Sequence, residues 1–116
     1  MRIYVAGSYS NPNVIEVFYN MRRGMRASSK LFQKEFSPFC PWSDFHFILS
    51  AETENPKFTL ENFYRYSIDW LSVSEAVLVL PESENSVGTQ NEIRLAKELG
   101  IPVYYTIEEL EINARK

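Results

Sequence analysis

The chain has 116 residues, a formal charge of −3 and a single cysteine. This length suffices for one hydrophobic core, so we expect a single domain over residues 1–116. The mild charge and scattered basic residues argue against a nucleic-acid polymer as partner. No apolar run approaches a membrane span, and no signal peptide is visible. The lone Cys40 can form neither an internal disulfide nor a metal site, which predicts a reducing, cytoplasmic setting.

The first predicted element is a short strand, RIYVA, at residues 2–6. It breaks at Gly7 and continues as a small polar loop that contains Ser8 and Ser10. Such a loop before a helix amino terminus offers backbone N–H groups and hydroxyls to an anion such as a phosphate. One glycine is neither a dinucleotide fingerprint nor a Walker pattern, so a plain strand-to-helix turn is the equally valid alternative.

A long helix is predicted next. Asn11 followed by Pro12 is typical of an N-cap with proline at the first helical position. Apolar residues then recur at helical spacing, namely Val14, Val17, Phe18, Met21, Met25 and Phe32. Residues 36–40 can form a second short strand, which Pro41 ends.

Residues 41–58 are predicted to be irregular, and they are too long and too aromatic to be an idle connection. Aromatic rings beside polar groups can stack a flat heterocycle and bond its edge. On this interpretation Asp44 and His46, next to Trp42 and Phe47, are candidate substrate-binding residues. The alternative is a loop folded back on the core, with His46 solvated or bonded to backbone.

The second half of the chain alternates helices and strands. Thr59 opens a helix, and an unbroken apolar run at residues 76–80 indicates a central parallel strand buried on both faces. After the next helix, Gly100 is the expected C′ residue, residues 101–105 form a strand, and Thr106 opens a terminal helix with a capping box.

This alternation predicts an α/β fold with three α/β/α layers: a Rossmann-like or flavodoxin-like parallel sheet of four to five strands between helices. Ligands of such sheets bind beyond the carboxyl ends of the strands. The loops after Ala6 and Leu80 should therefore meet at one edge, where Glu92 would face Tyr4 and residues 7–10.

Glu92 is the anomaly of the sequence. On a helical wheel at roughly 100° per residue, it falls near the centre of an apolar arc. The arc consists of Ile93, Leu95, Ala96 and Leu99. A bland explanation exists, because Thr89 and Glu92 match the S/T-x-x-E capping box. Against it, this carboxylate points inward, where the helix terminus favours its ionised form and burial favours its neutral form, so it can be poised for chemistry.

Three segments carry a resemblance to a known family. They are IYVAGSYS at the start, EAVLVL in the middle, and SVGTQNEIRLAKELGIPV. Together they resemble the nucleoside 2-deoxyribosyltransferase superfamily, with a layout similar to its small phage and bacterial members and to the 2′-deoxynucleoside 5′-monophosphate N-glycosidases. The similarity covers the first ten residues and roughly the last fifty, and the rest matches only in outline.

The resemblance implies specific roles at a catalytic site without cofactor or metal. Glu92 would be the nucleophile at the anomeric carbon of the sugar, Tyr4 would position it, and Ser86 would hold a 5′-phosphate. Gly7, Ser8 and Gly88 match loops around sugar and phosphate, and Ser10 belongs to the same loop. Members of the family are usually homodimers whose active sites touch the neighbouring subunit.

One departure from the family leaves two functions open. The family has a second carboxylate, an Asp, where this chain has Ser67, while Asp69 points away and Asp44 is a possible substitute. The first hypothesis is an enzyme that cleaves or transfers at the N-glycosidic bond of a nucleoside or nucleoside 5′-monophosphate. The second is a catalytically impaired nucleotide-binding protein that acts as a sensor, sequestering agent or partner-binding module.

Overall fold

The computed structural model describes residues 1–52 and 58–114. Within them four parallel strands form one sheet: β1 Arg2–Ala6, β2 Ser37–Phe39, β3 Ala76–Val79 and β4 Val103–Tyr104. Their order across the sheet is β2-β1-β3-β4, so β1 and β3 are central. All three pairs are parallel. Both central strands are almost entirely apolar and buried, as expected for strands covered on both faces.

Five α-helices accompany the sheet in the described ranges: α1 Val14–Gln33, α2 His46–Ser50, α3 Leu60–Leu71, α4 Val87–Glu98 and α5 Ile107–Ala114. A 3₁₀ helix, Pro41–Phe45, precedes α2. The prediction that residues 41–58 are irregular is therefore wrong for the part that forms these two short helices. Residues 53–57 of that stretch lie outside the described residues.

The sheet separates two hydrophobic clusters, because successive side chains of a strand point to opposite faces. Ile3 and Val5 of β1 pack with Leu31 of α1 and Leu110 of α5. On the other face, side chains of β1 and β3 pack with α3 and α4; this cluster includes Tyr4, Ala6, Leu71, Val77, Ile93 and Ala96. The predicted three-layer α/β/α architecture with a parallel sheet is confirmed, and its flavodoxin-like strand order places β1 beside β3.

Helix α1 begins two residues later than predicted. Its N-cap is Asn13, whose Oδ1 accepts a hydrogen bond from the Ile15 N–H at 2.9 Å. The Asn11 side chain instead accepts from the Asn13 N–H at 2.9 Å, which forms a turn before the helix. Both asparagines suit an N-cap, and Pro12 between them does not decide which one caps.

The fully buried residues of α1 are mostly small or polar, while the predicted apolar residues Met21 and Met25 are only partly buried against the core. Asn20, Gly24, Ser28 and Leu31 are buried, whereas Val14, Phe18 and Phe32 are exposed. The cause is Trp42, which is almost fully buried: a Cβ built on Gly24 would overlap its indole ring. The close approach of this ring leaves no room for a larger side chain at position 24.

Three further helix boundaries agree with the sequence, whereas the strands predicted at residues 36–40 and 101–105 are shorter, at Ser37–Phe39 and Val103–Tyr104. Thr59 caps α3 by accepting from the Asn62 N–H at 3.2 Å, and Thr106 accepts from the Glu109 N–H at 3.0 Å at the start of α5. Gly100 follows α4 with a φ of 73°, a left-handed conformation that favours glycine. None of the described helices combines the length and apolar character needed to cross a membrane.

Candidate active site

A cavity of about 1010 Å³ opens where the loops after β1 and β3 meet. This is the edge at which parallel sheets bind ligands. Nine of the ten site residues predicted from the sequence line it: Tyr4, Gly7, Ser8, Ser10, Asp44, Ser67, Ser86, Gly88 and Glu92. The tenth, His46, is not among the lining residues. The cavity therefore collects side chains that are far apart in the sequence.

Glu92 and Tyr4 form the polar centre of the cavity. The Tyr4 hydroxyl donates a hydrogen bond to the Glu92 carboxylate, and both side chains are buried, with Glu92 8% exposed. Tyr4 is held in turn by β1 and by a stacked contact with Phe39 of β2, at 5.5 Å between ring centroids. The sheet thus fixes the hydroxyl that orients the carboxylate.

Burial raises the pKa of the Glu92 carboxyl to about 7, and the hydrogen bond from Tyr4 acts in the opposite direction. Burial also raises the pKa of Tyr4 well above its ordinary value, and the neighbouring Glu92 carboxylate raises it further. Tyr4 therefore keeps its proton and remains a donor throughout the neutral range. Glu92 changes between its neutral and charged forms near neutral pH, which suits a group that must act as a nucleophile.

The capping-box explanation of Glu92 is wrong, because α4 begins earlier than Thr89. Its N-cap is Ser86, whose Oγ accepts from the Thr89 N–H at 3.2 Å and from the Thr89 hydroxyl at 2.9 Å. Glu92 consequently lies in the second turn, where it has no part in capping. The wheel places Ile93 and Ala96 correctly in the core, but Leu99 is 50% exposed because it is the C-cap residue, where the helix ends.

Ser67 is the residue for which the sequence resemblance implies a second carboxylate. It is buried on α3, and its hydroxyl forms a hydrogen bond with Tyr4 that lowers the pKa of the phenol. Asp69 is exposed and pairs with Arg65 at 3.7 Å, as its direction on the helix predicts. Helix α3 therefore brings a hydroxyl, and not a carboxylate, to the Tyr4–Glu92 pair.

A second, partly buried carboxyl group of the cavity comes from the 3₁₀ helix. Asp44 accepts a hydrogen bond from the Tyr9 hydroxyl at 2.8 Å. Burial raises the pKa of Asp44, while the bond from Tyr9 and the nearby His46 lower it. Asp44 thus enters the cavity from a different layer than Glu92, on an element that the sequence predicts as a loop.

The aromatic residues near Asp44 mostly serve the core. Trp42 is buried and its Nε1 donates to the Ser8 carbonyl at 3.0 Å, so its indole ring is not available for stacking on a ligand. His46 is exposed, and its Nδ1 lies 2.7 Å from the Ser43 carbonyl. The folded-back alternative describes both residues, and His46 is not among the residues that line the cavity.

Sequence reasoning missed several residues of the cavity. Tyr64 lines it, and burial followed by the Glu92 charge raises the pKa of this phenol. Arg23 also lines it and pairs with Glu82 at 3.5 Å, which joins α1 to the loop after β3. Arg23 belongs to an arginine-rich run that is typical of an ordinary basic helix face, so the sequence does not reveal that Arg23 lines the cavity. A usable signal was Asn20, three residues before Arg23, since a polar residue between apolar positions marks a face that meets other polar groups.

Together, the strand order and the cavity define a doubly wound α/β fold with a cavity at the edge where such folds bind small molecules. The family model described as "Domain of unknown function (DUF4406)" matches residues 42–105. The chain belongs to this family. A comparison with curated proteins gave no match.

A solved structure adds a likeness of fold. It is the 2-deoxyribosyltransferase from the psychrotolerant bacterium Bacillus psychrosaccharolyticus, with a TM-score of 0.65 and 16% identity. The alignment covers 89% of this chain and 69% of that chain. The chain therefore shares its fold with this 2-deoxyribosyltransferase.

Proposed function

We propose that this protein cleaves or transfers at the N-glycosidic bond of a nucleoside or nucleoside 5′-monophosphate. The observation that carries the proposal is the buried Glu92 carboxylate, bonded to Tyr4 inside a cavity at the carboxyl edge of the sheet. Cleavage of this bond develops positive charge on the sugar, which a carboxylate below the anomeric carbon can stabilise or capture. The fold likeness to a 2-deoxyribosyltransferase supports the same class of reaction.

The chemistry follows from the geometry of the pair. The ionised Glu92 forms a bond to the anomeric carbon while the carbon–nitrogen bond breaks and its electron pair goes to the base. The Tyr4 hydroxyl holds one carboxylate oxygen and leaves the other free to attack. Water or a second base then attacks the same carbon and releases Glu92, which gives hydrolysis or transfer. Because the base departs with a proton, a second group must supply that proton.

The remaining site residues have supporting roles. Ser86 caps α4 by accepting hydrogen bonds, so its own hydroxyl hydrogen is free to donate to a 5′-phosphate. Gly7, Ser8 and Gly88 line the cavity beside it and would surround sugar and phosphate. A Cβ on Gly88 would meet nothing within 4 Å, so this glycine leaves space for a ligand.

The experiment incubates the protein with deoxynucleosides and their 5′-monophosphates and measures free base, or exchanged base when an acceptor base is added. Glu92→Gln should abolish release and retain ligand binding, because the amide oxygen can still accept from Tyr4. Glu98→Gln, at an exposed position of the same helix, is the matched control and should keep wild-type activity. Release of base by Glu92→Gln at the wild-type rate would refute the proposal.

A second function is favoured by Ser67. With a hydroxyl in place of the family carboxylate, the protein would bind nucleotides without efficient turnover, as a sensor, sequestering agent or partner-binding module. Equal nucleotide affinity for wild type and Glu92→Gln, with no base released by either, would establish this function. We favour the enzyme because Tyr4 orients the buried Glu92 carboxylate in the cavity and its raised pKa suits a nucleophile.

We further infer one domain over residues 1–116, a cytoplasmic setting and a homodimer or higher homo-oligomer. Cys40 is a free, partly buried thiol, which suits a reducing compartment. Exposed apolar residues of α1, such as Phe18 and Val14, would be covered by a second copy. Light scattering after size exclusion tests the assembly, and a monomer at micromolar concentration would reject it.

A further inference from the structure

The cavity contains two tyrosine–carboxyl pairs. In the first, Tyr4 donates to Glu92; in the second, Tyr9 donates to Asp44 at 2.8 Å. Both carboxyl groups line the same space and come from different layers of the structure, α4 and the 3₁₀ helix. Two carboxyl groups in one cavity, each oriented by a phenol, are the catalytic groups that cleavage of a glycosidic bond commonly uses.

Asp44 is held on a rigid support. Trp42, on the same 3₁₀ helix, is buried against Gly24 of α1 and donates to the Ser8 carbonyl. The Tyr9 ring lies 6.4 Å from the Trp42 ring, centroid to centroid, and the Tyr9 carbonyl accepts from the Asn20 side chain at 3.1 Å. Both partners of the pair are therefore fixed by the core, as a catalytic group requires.

The wall around Asp44 suits a nucleobase. Phe45 and Ile48, which follow Asp44 in the chain, line the cavity with it, and Phe63 and Tyr64 of α3 add apolar and aromatic side chains to the lining. Flat heterocycles stack on such side chains, while a polar group among them contacts the edge of the ring. A carboxyl group in this wall is placed to meet a ring nitrogen of the base.

The other carboxylates of the lining are less suited to this role. Glu82 is largely exposed and pairs with Arg23 at 3.5 Å. Glu16 and Glu61 are exposed. Asp44 is only partly exposed, and its bond to Tyr9 occupies one of its two oxygens. The other oxygen is free to carry a proton.

We propose that Asp44 is the general acid and base of the reaction, a catalytic role that rests on the proposed function. Asp44 donates its proton to a ring nitrogen of the base as Glu92 attacks the anomeric carbon and the carbon–nitrogen bond breaks. In the second half, the Asp44 carboxylate takes a proton from the attacking water or acceptor base, and the bond to Glu92 breaks. Asp44 thereby ends the cycle protonated. The reaction then does not need a carboxylate at position 67, where the chain has Ser67.

The leaving group tests this role. Wild type, Asp44→Asn and Glu92→Gln are compared on 2′-deoxyguanosine and on 7-methyl-2′-deoxyguanosine, as nucleosides and as 5′-monophosphates. The methylated base is already positively charged and departs without protonation. Asp44→Asn should lose at least about 100-fold in kcat on the unmethylated substrate, within the usual range of acid catalysis, and less than about tenfold on the methylated one. Glu92→Gln should lose activity on both.

Matched variants separate this role from a structural one. Asp69→Asn, an exposed aspartate paired with Arg65, controls for the substitution and should behave as wild type. Tyr9→Phe keeps the Asp44 carboxyl but removes the hydrogen bond that orients it, and should lower kcat on the unmethylated substrate more than on the methylated one. If Asp44→Asn loses its activity through poor folding, Tyr9→Phe still reports the leaving-group dependence.

The outcomes are distinct. The role of Asp44 is overturned if Asp44→Asn loses the same activity on both substrates, or loses none on either, and Tyr9→Phe shows the same pattern. The proposed function remains intact in that case. If wild type binds these substrates and the other deoxynucleosides and 5′-monophosphates of the activity assay but releases base from none of them, the proposed function fails and the inference fails with it. A selective loss on the unmethylated substrate establishes Asp44 as the acid.

Discussion

Replacement of Glu92 by Gln should stabilise this protein at neutral and alkaline pH. The carboxyl is 8% exposed, and burial raises its pKa to about 7. In the unfolded chain the same group titrates near 4.5. The folded state therefore binds the proton more tightly than the unfolded state does. Its contribution to stability is fully present below pH 4.5 and is lost as the pH rises to about 7.

The magnitude follows from the two pKa values. One pKa unit corresponds to about 1.4 kcal/mol, so a rise from 4.5 to about 7 makes the ionised carboxylate cost about 3 kcal/mol of folding free energy above pH 7. The amide of the variant would keep an oxygen that accepts from the Tyr4 hydroxyl and would carry no charge. The Glu92→Gln variant should match wild type near pH 4.5 and exceed its stability by about 3 kcal/mol at about pH 8.

Urea denaturation followed by tryptophan fluorescence, between about pH 4.5 and about pH 8.5, measures this difference directly. Glu98→Gln, on the same helix but exposed, removes one carboxylate elsewhere and should follow wild type across the whole range. If the stability curves of wild type and Glu92→Gln run parallel over this range, the carboxyl is not held in a desolvating site. The inference that the buried Glu92 carboxyl is a nucleophile with a raised pKa would then be wrong.

Three further predictions use other parts of the site. Tyr4→Phe removes a bond that lowers the pKa of Glu92, so the acid limb of kcat/KM against pH should move to higher pH; an unchanged limb would show that the bond does not tune the carboxyl. Ser86→Asp keeps the N-cap but should repel a 5′-phosphate, and it should lower monophosphate affinity at least about tenfold while nucleoside affinity changes little; equal effects on both would reject Ser86 as the phosphate ligand. Gly24→Ala should destabilise the fold by about 1 to 3 kcal/mol or more because its Cβ meets the Trp42 ring, whereas Gly88→Ala, with nothing within 4 Å, should not; denaturation midpoints compare the two, and equal midpoints would contradict the packing argument.

The fold was predictable because its strongest signals are local. The run at residues 76–80 is apolar throughout, which is the pattern of a strand covered on both faces, and its neighbours alternate helix and strand. The inward direction of Glu92 was likewise predictable from the spacing of Ile93 and Ala96 alone. In each case a few neighbouring residues contain the information.

The errors occur where local patterns are ambiguous. Ser86 and Thr89 can both cap a helix, and so can Asn11 and Asn13. The choice between them depends on how the preceding loop reaches the sheet, which local sequence does not encode. For α1 the helical spacing of apolar residues predicts an apolar face. The face with Gly24 and its neighbours is buried instead, because Trp42 packs there. The small residues Gly24 and Ser28, which are four positions apart, indicate that this face is buried.

Local patterns could not predict the pairs that build the cavity, because each pair joins distant positions. Tyr9 and Asp44 are 35 residues apart, and Tyr4 and Glu92 are 88 apart. No periodicity within a helix or strand reports such contacts. Only the rule that parallel strands share a carboxyl edge brought Tyr4 towards Glu92, and it says nothing of Asp44, whose 3₁₀ helix lies in a stretch that the sequence predicts as irregular.

The cap of α4 bears on why position 92 is a glutamate at all. Ser86 and Thr89 complete the amino terminus of the helix without it, so the helix does not need this carboxylate to begin. Its ionised form lowers stability by about 3 kcal/mol, a large share of the roughly 5–15 kcal/mol typical of a domain. A glutamine would keep the bond to Tyr4 without that cost, so the fold alone gives no reason for a carboxylate. The proposed reaction, which needs the negative charge at the anomeric carbon, would supply that reason.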